Sequence, residues 1–136
     1  RVSYAKSVGA TVFVSIHINS NQNSSANGAA VYYPNSNGNA GIGSKGQQLA
    51  SKIENRLVSL GLANKGILVR DSDNGETYPD GKLTDYYSVI RNSKYAGFPG
   101  IIVEHAFITS PSDVSNFLST DEKLKSLGVA DATGIA

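Results

Sequence analysis

The sequence contains no cysteine, no methionine and no tryptophan. Without cysteine there are no disulfides and no thiolate metal sites, an economy compatible with an exported protein. The absence of methionine extends to position 1, where Arg1 stands, so the chain is expected to be a piece or a processed form of something longer. No basic-then-apolar leader opens it. An excess of one charge is missing too: twelve basic residues against eleven acidic ones leave a net charge of +1. That balance gives no footprint for nucleic acid and none for an anionic membrane surface. Long hydrophobic runs are also lacking, so no membrane span is expected. With 17% charged and 40% hydrophobic residues the chain is no charged, disordered polymer. Its 136 residues amount to one domain, enough to bury about two-thirds of the unfolded surface. Oligomeric state is left open.

What is present alternates between strands and helices. Residues 1–9 read as the end of a helix closed by Gly9. Residues 11–18 (TVFVSIHI) are the clearest strand, apolar enough on both sides to be covered on both faces. A polar loop over 19–28 leads to a second strand at 29–33, and 35–43 read as another loop. The spacing predicts a helix over 45–60, capped by Ser44 with Gln47 completing a capping box and Gly61 as its stop. Short strands are expected at 66–70, 86–91 and 101–105, with a long exposed loop over 71–85. Ser110-Pro111-Ser112-Asp113 starts a helix, and Ser119 with Glu122 begins a last one of about four turns that runs to the final residue. This order predicts an α/β fold, a mainly parallel twisted sheet flanked by helices on both faces, with its site at the carboxyl ends of strands.

Two strand ends carry chemistry. Ser15-Ile16-His17-Ile18-Asn19-Ser20 delivers a histidine beside a polar loop, either as metal ligand or general base or as a partner of loop backbone. Ile101-Ile102-Val103-Glu104-His105 ends three β-formers on a carboxylate. Glu is almost never buried unpaired, so Glu104 either transfers protons or forms a salt bridge, with Arg91 or Lys94 as the partner. His105 alternates to the other face of the strand and reads as structural. Ser15 lies on the His17 face, but no strained nucleophile elbow supports acyl-enzyme chemistry. Gly41-Ile42-Gly43-Ser44 precedes a helix without a full phosphate-binding fingerprint and reads as a flexible entry. Of the pairs Tyr32-Tyr33 and Tyr86-Tyr87, one member each is expected in the core, leaving the other free to stack on sugar.

Taken together these stretches resemble the zinc-dependent N-acetylmuramoyl-L-alanine amidases of bacteria, the type 3 family. The resemblance runs through Arg1 and Ala5, Phe13 to Ser20, Gly28 to Tyr33, the Leu49-Ala50 helix and Gly61 to Ile67. It continues through Val89-Ile90-Arg91, Pro99 and Ile102 to Thr109. It implies a peptidoglycan hydrolase that cuts the amide between N-acetylmuramic acid and L-alanine with one zinc ion held by His, Glu and His. His17 matches the last of those ligands and Glu104 the catalytic glutamate; Asn19 and Arg91 are expected near substrate or bracing the site. The partner is then peptidoglycan and the location extracellular or at the bacterial cell wall.

The chain departs from that pattern at its start. The other two zinc ligands are expected upstream of Arg1, and neither His105 nor Glu76 has the position to replace them. Residues 1–136 are thus expected to be a catalytic domain incomplete at the N-terminus and cut in its last helix. Such a piece would hold zinc weakly, expose a sheet edge, and need its missing part or a second copy for stability. Ser110 stands where the family usually has Asn, and 71–85 is long enough to form a groove wall. Two other functions compete: a non-catalytic peptidoglycan-binding module, and a zinc peptidase acting on stem peptides.

Overall fold

The computed structural model describes all 136 residues. Four strands form one sheet: β1 (Phe13–Asn19), β2 (Ala29–Tyr32), β3 (Asn64–Leu68) and β4 (Gly100–Phe107), in the order β1-β4-β2-β3. β1 and β4 run parallel, as do β2 and β3, but β2 meets β4 antiparallel. The α/β fold and the largely parallel pairing are as the sequence predicts. The antiparallel seam is an addition: the two strand pairs point in opposite directions, so the strands end on two different rims.

One face of the sheet carries the core. Helix α2 (Ala40–Ser59) lays Ala50, Ile53 and Leu57 on Ala29 and Val31 of β2 and on Ile101 and Val103 of β4. Helix α5 (Asp121–Ile135) adds Leu127 and Ala130 to the same cluster. The i, i+3, i+7 spacing of the α2 residues is the stripe that a helix packed on a sheet requires. Burying a side chain the size of Ile53 or Leu57 contributes about 1.5–3 kcal/mol. The opposite face is covered by α3 (Ser88–Ala96), with α1 (Val2–Ser7) packed on α3.

Several boundaries differ from the sequence reading. Residues 86–91 are no strand: α3 starts at Ser88, buries Ile90, Ser93 and Lys94 at i, i+3, i+4, and stops at Gly97 (φ +102°). Helix α2 starts five residues early. Asn39, not Ser44, is its cap, accepting the Ile42 amide at 3.1 Å, so residues 40–43 are helix rather than loop. Gly46 serves packing there, since a Cβ on it would lie 2.5 Å from Pro34. β3 occupies 64–68 rather than 66–70 and is bulged against β2 between Ala29 and Ala30. Ser110 caps the short turn α4 (Pro111–Asp113) as expected, accepting the Asp113 amide. A π-helical turn over Val114–Leu118 follows, and Thr120, one residue past Ser119, caps α5. β1 is an outer strand, and cover on both faces fails along it: Val14 packs on the core, but Ile16 and Ile18 are 63% and 44% exposed.

Candidate active site

The adjacent parallel strands β1 and β4 place His17 opposite Glu104 in register. Both side chains therefore leave the sheet on one face, the face away from the main core. On the far side of Glu104, Ala30 of β2 is its antiparallel partner, a small residue that leaves room above the carboxylate. Immediately beyond, the ladder slips: Asn19 pairs with Phe107, so β4 spends three residues where β1 spends two. Bulges of this kind re-aim side chains at the ends of sheets.

Glu104 is half-buried, and its Oε2 is buried without a hydrogen-bond partner. Burial pushes its pKa above the usual carboxylate value, against the pull of charge on His17 and His105. A desolvated oxygen without a donor is costly, by about 1–3 kcal/mol, and such a group in a natural fold asks for a reason. His17 is exposed, with Nε2 2.8 Å from Ser15 Oγ. In the tautomer whose Nε2–H donates to Ser15, Nδ1 presents its lone pair and has no partner in the chain. No carboxylate orients the His17 ring, so the Ser15–His17 contact lacks the third member of a nucleophilic triad.

His105 points the other way, as alternation requires, and is 1% exposed. Its Nδ1 donates to the His17 carbonyl at 2.9 Å and its Nε2 meets Asp131 Oδ2 at 2.5 Å. Burial pulls its pKa down, but the bonds to Asp131 and to the His17 carbonyl, with the nearby charges of Asp131 and Glu104, outweigh it, and the net shift is upward. His105 thus ties α5 to the backbone of His17. Asp131 lies 26 residues from its partner, and nothing in the local sequence signals it.

A family profile described as N-acetylmuramoyl-L-alanine amidase matches residues 1–136. The chain belongs to the N-acetylmuramoyl-L-alanine amidase family. It is 34% identical over 116 residues to the N-acetylmuramoyl-L-alanine amidase LytC of Bacillus subtilis (strain 168), a match covering 85% of this chain and 19% of LytC. Cwp6 from Clostridium difficile superposes with a TM-score of 0.80 at 33% identity, over 98% of this chain and 19% of Cwp6. The N-acetylmuramoyl-L-alanine amidase AmiC2 of Nostoc punctiforme superposes with a TM-score of 0.71 at 29% identity, over 98% of this chain and 61% of AmiC2. The chain spans about a fifth of the length of LytC and of Cwp6.

The amidase family is generally zinc-dependent. This chain offers one donor to such a site, an imidazole nitrogen on His17, with the unpartnered carboxylate of Glu104 on the adjacent strand. His17 does not complete it, because catalytic zinc takes three protein ligands and no group of three His, Asp or Glu gathers anywhere in the chain.

The salt bridge offered for Glu104 from sequence does not form. Lys94 is buried against Asp85 at 2.8 Å and donates to Asn35 and to the Asn37 carbonyl. Arg91 Nη1 donates to the carbonyls of Asp85 and Tyr86, with its Nε 3.6 Å from Glu76. That makes Arg91 a brace for the 71–87 segment in this amidase fold. Asn19 Oδ1 accepts the Ser20 amide at 2.8 Å, which leaves its Nδ2 free at the rim. Of the tyrosines, Tyr32 and Tyr87 meet edge to face at 5.1 Å, and Tyr86 is exposed.

Proposed function

We propose that this chain is part of the catalytic domain of a bacterial cell-wall hydrolase. Its substrate is peptidoglycan, and the bond cut is the amide between the lactyl group of N-acetylmuramic acid and L-alanine. The observation that supports this best is the half-buried, unpartnered Glu104 in register with His17 and its open Nδ1 on two adjacent parallel strands. His17 is the zinc ligand of this chain; the remaining ligands come from residues outside it. Zinc supplies polarisation of the amide carbonyl and makes a nearby water more acidic.

Glu104 does the proton work. As carboxylate it takes a proton from the attacking water while the water oxygen bonds to the carbonyl carbon. It then gives that proton to the alanine nitrogen as the C–N bond breaks, so the amine leaves neutral. A pKa raised by burial suits a group that must accept and then donate. His105 and Asp131 hold the strand that presents His17, Arg91 braces the 71–87 segment, and the free Asn19 Nδ2 is offered to substrate at the rim. Action at the cell wall, outside the membrane, follows from the substrate.

The test uses the full-length protein with zinc and purified muropeptides. The expected product is an intact stem peptide with a new free amino group on L-alanine. Glu104→Gln lowers kcat by about 10²–10⁴-fold with zinc content unchanged. Cleavage inside the stem peptide, or full activity in Glu104→Gln, overturns the assignment. Absence of zinc from the full-length protein turns the reading to a binding module.

A further inference from the structure

Arg70 is an exposed cation set against aromatic rings rather than a carboxylate. Its guanidinium lies 3.6 Å from the centre of the Tyr86 ring and 5.7 Å from that of Tyr87. Its one side-chain hydrogen bond is a long one, 3.5 Å from Nη1 to the Tyr87 hydroxyl, and no Asp or Glu comes within ion-pair distance. Stacking fixes the guanidinium plane and leaves most of its N–H edge free. A fork held that way matches the two oxygens of a carboxylate.

The platform is rigid and close to Glu104. The Tyr86 amide donates to the Arg70 carbonyl at 2.8 Å, and the Ser72 amide to the Thr84 carbonyl at 2.8 Å, so the two segments form a ribbon. Asp85, between Thr84 and Tyr86, is anchored by Lys94 and by the Tyr78 hydroxyl. Tyr87 packs on Tyr32, and Tyr32 lies two residues along β2 from Ala30, the direct partner of Glu104. Two residues of strand are about 7 Å. Arg70 is therefore two aromatic rings from Glu104, a span that a few extended peptide residues at about 3.5 Å each can cover. Sugar stacking suits this cluster less well: one face of Tyr86 is taken by Arg70, and its ring meets Tyr87 at 89°.

We propose that Arg70, held flat on Tyr86 beside Tyr87, is a subsite that binds a side-chain carboxylate of the stem peptide and gives preference for acidic over amidated stems. The proposal rests on the amidase reading for its substrate, but its test does not need turnover. The full-length, zinc-loaded Glu104→Gln protein is titrated calorimetrically with two N-acetylmuramoyl tripeptides. Both have an amidated C-terminus; one has free side-chain carboxylates and the other has them amidated.

The acidic peptide should bind about tenfold more tightly. Arg70→Ala should erase that preference, and Arg70→Lys, which keeps charge without the fork, should restore part of it. In the protein with Glu104 intact, Arg70→Ala should raise KM about tenfold for the acidic peptide at unchanged kcat and unchanged melting temperature. Equal binding of the two peptides, a preference that survives Arg70→Ala, or no binding of either overturns the subsite. Failure of the Glu104 protein to release L-alanine amine, with the binding preference intact, overturns the amidase reading and leaves the subsite standing.

Discussion

Glu54 shows what a single residue contributes against its surroundings. It sits in α2, 3% exposed, with neither carboxylate oxygen hydrogen-bonded. Burial raises its pKa to about 7 from 4.5; the Gly66 amide pulls the other way without making a proper hydrogen bond. The sign follows from proton counts. Between pH 4.5 and 7 the folded chain holds a proton that the unfolded chain has lost. The contribution to stability is full below pH 4.5, falls as pH rises, and is gone above about 7. A shift of that size corresponds to on the order of 3 kcal/mol. Glu54→Gln should therefore flatten the dependence: denaturant midpoints at pH 5 and pH 8 should differ by clearly less in the variant than in the parent. Equal differences in the two proteins would show that Glu54 does not titrate in this range. Sequence did not reveal Glu54, because its position on the α2 stripe looks like any helix carboxylate. His17 and Glu104 stood out as candidates because each interrupts a run of β-formers next to the end of a predicted strand. Asp131 was not, since the residue it serves is on a strand 26 positions away.

Among elements, α5 and α2 pack without room to spare. A Cβ placed on Gly134 would stand 2.8 Å from the Cα of Ile53 and 2.9 Å from its side chain, closer than real contacts allow. Gly134→Ala would gain up to about 1 kcal/mol in helix propensity, but overpacking of this kind costs about 1–3 kcal/mol. We expect net destabilisation of about 1–2 kcal/mol, seen as a lower melting temperature; an unchanged or higher one would mean that α5 shifts freely. The same logic explains what sequence misread. Tyr86 to Arg91 is rich in β-formers, yet the pattern that decided its structure is Ile90, Ser93 and Lys94 on one helical face with Gly97 as the stop. Glycines at 41 and 43 suggested a loop, whereas Gly43, like Gly46 inside the predicted helix, lets the first turns of α2 lie against residues 34–36. Strong periodicity at Leu49, Ile53 and Leu57 made the rest of α2 plain.

At the scale of the whole molecule, the sheet order places β1 on an edge with one side paired to β4 and the other side open. Its tip carries Ile16 and Ile18, both exposed, beside the exposed His17. Unpaired N–H and C=O groups next to apolar side chains are a template for another strand. Natural edges are usually blunted by charge, proline or short length, and β1 shows none of these over its seven residues. The sequence led to an exposed edge through the family resemblance, but it could not show that β2 and β3 run against β1 and β4, because strand direction in a mixed sheet is decided by long-range pairing. With the other outer strand, β3, already bulged against β2, β1 is the edge best suited to recruit a partner. Residues 1–136 on their own should therefore self-associate: sedimentation should show mass rising with protein concentration, and Ile16→Lys should reduce it by placing a charge on the edge. A species that stays monomeric over the whole concentration range, with one sharp unfolding transition, would show that the domain is self-sufficient with its edge bare.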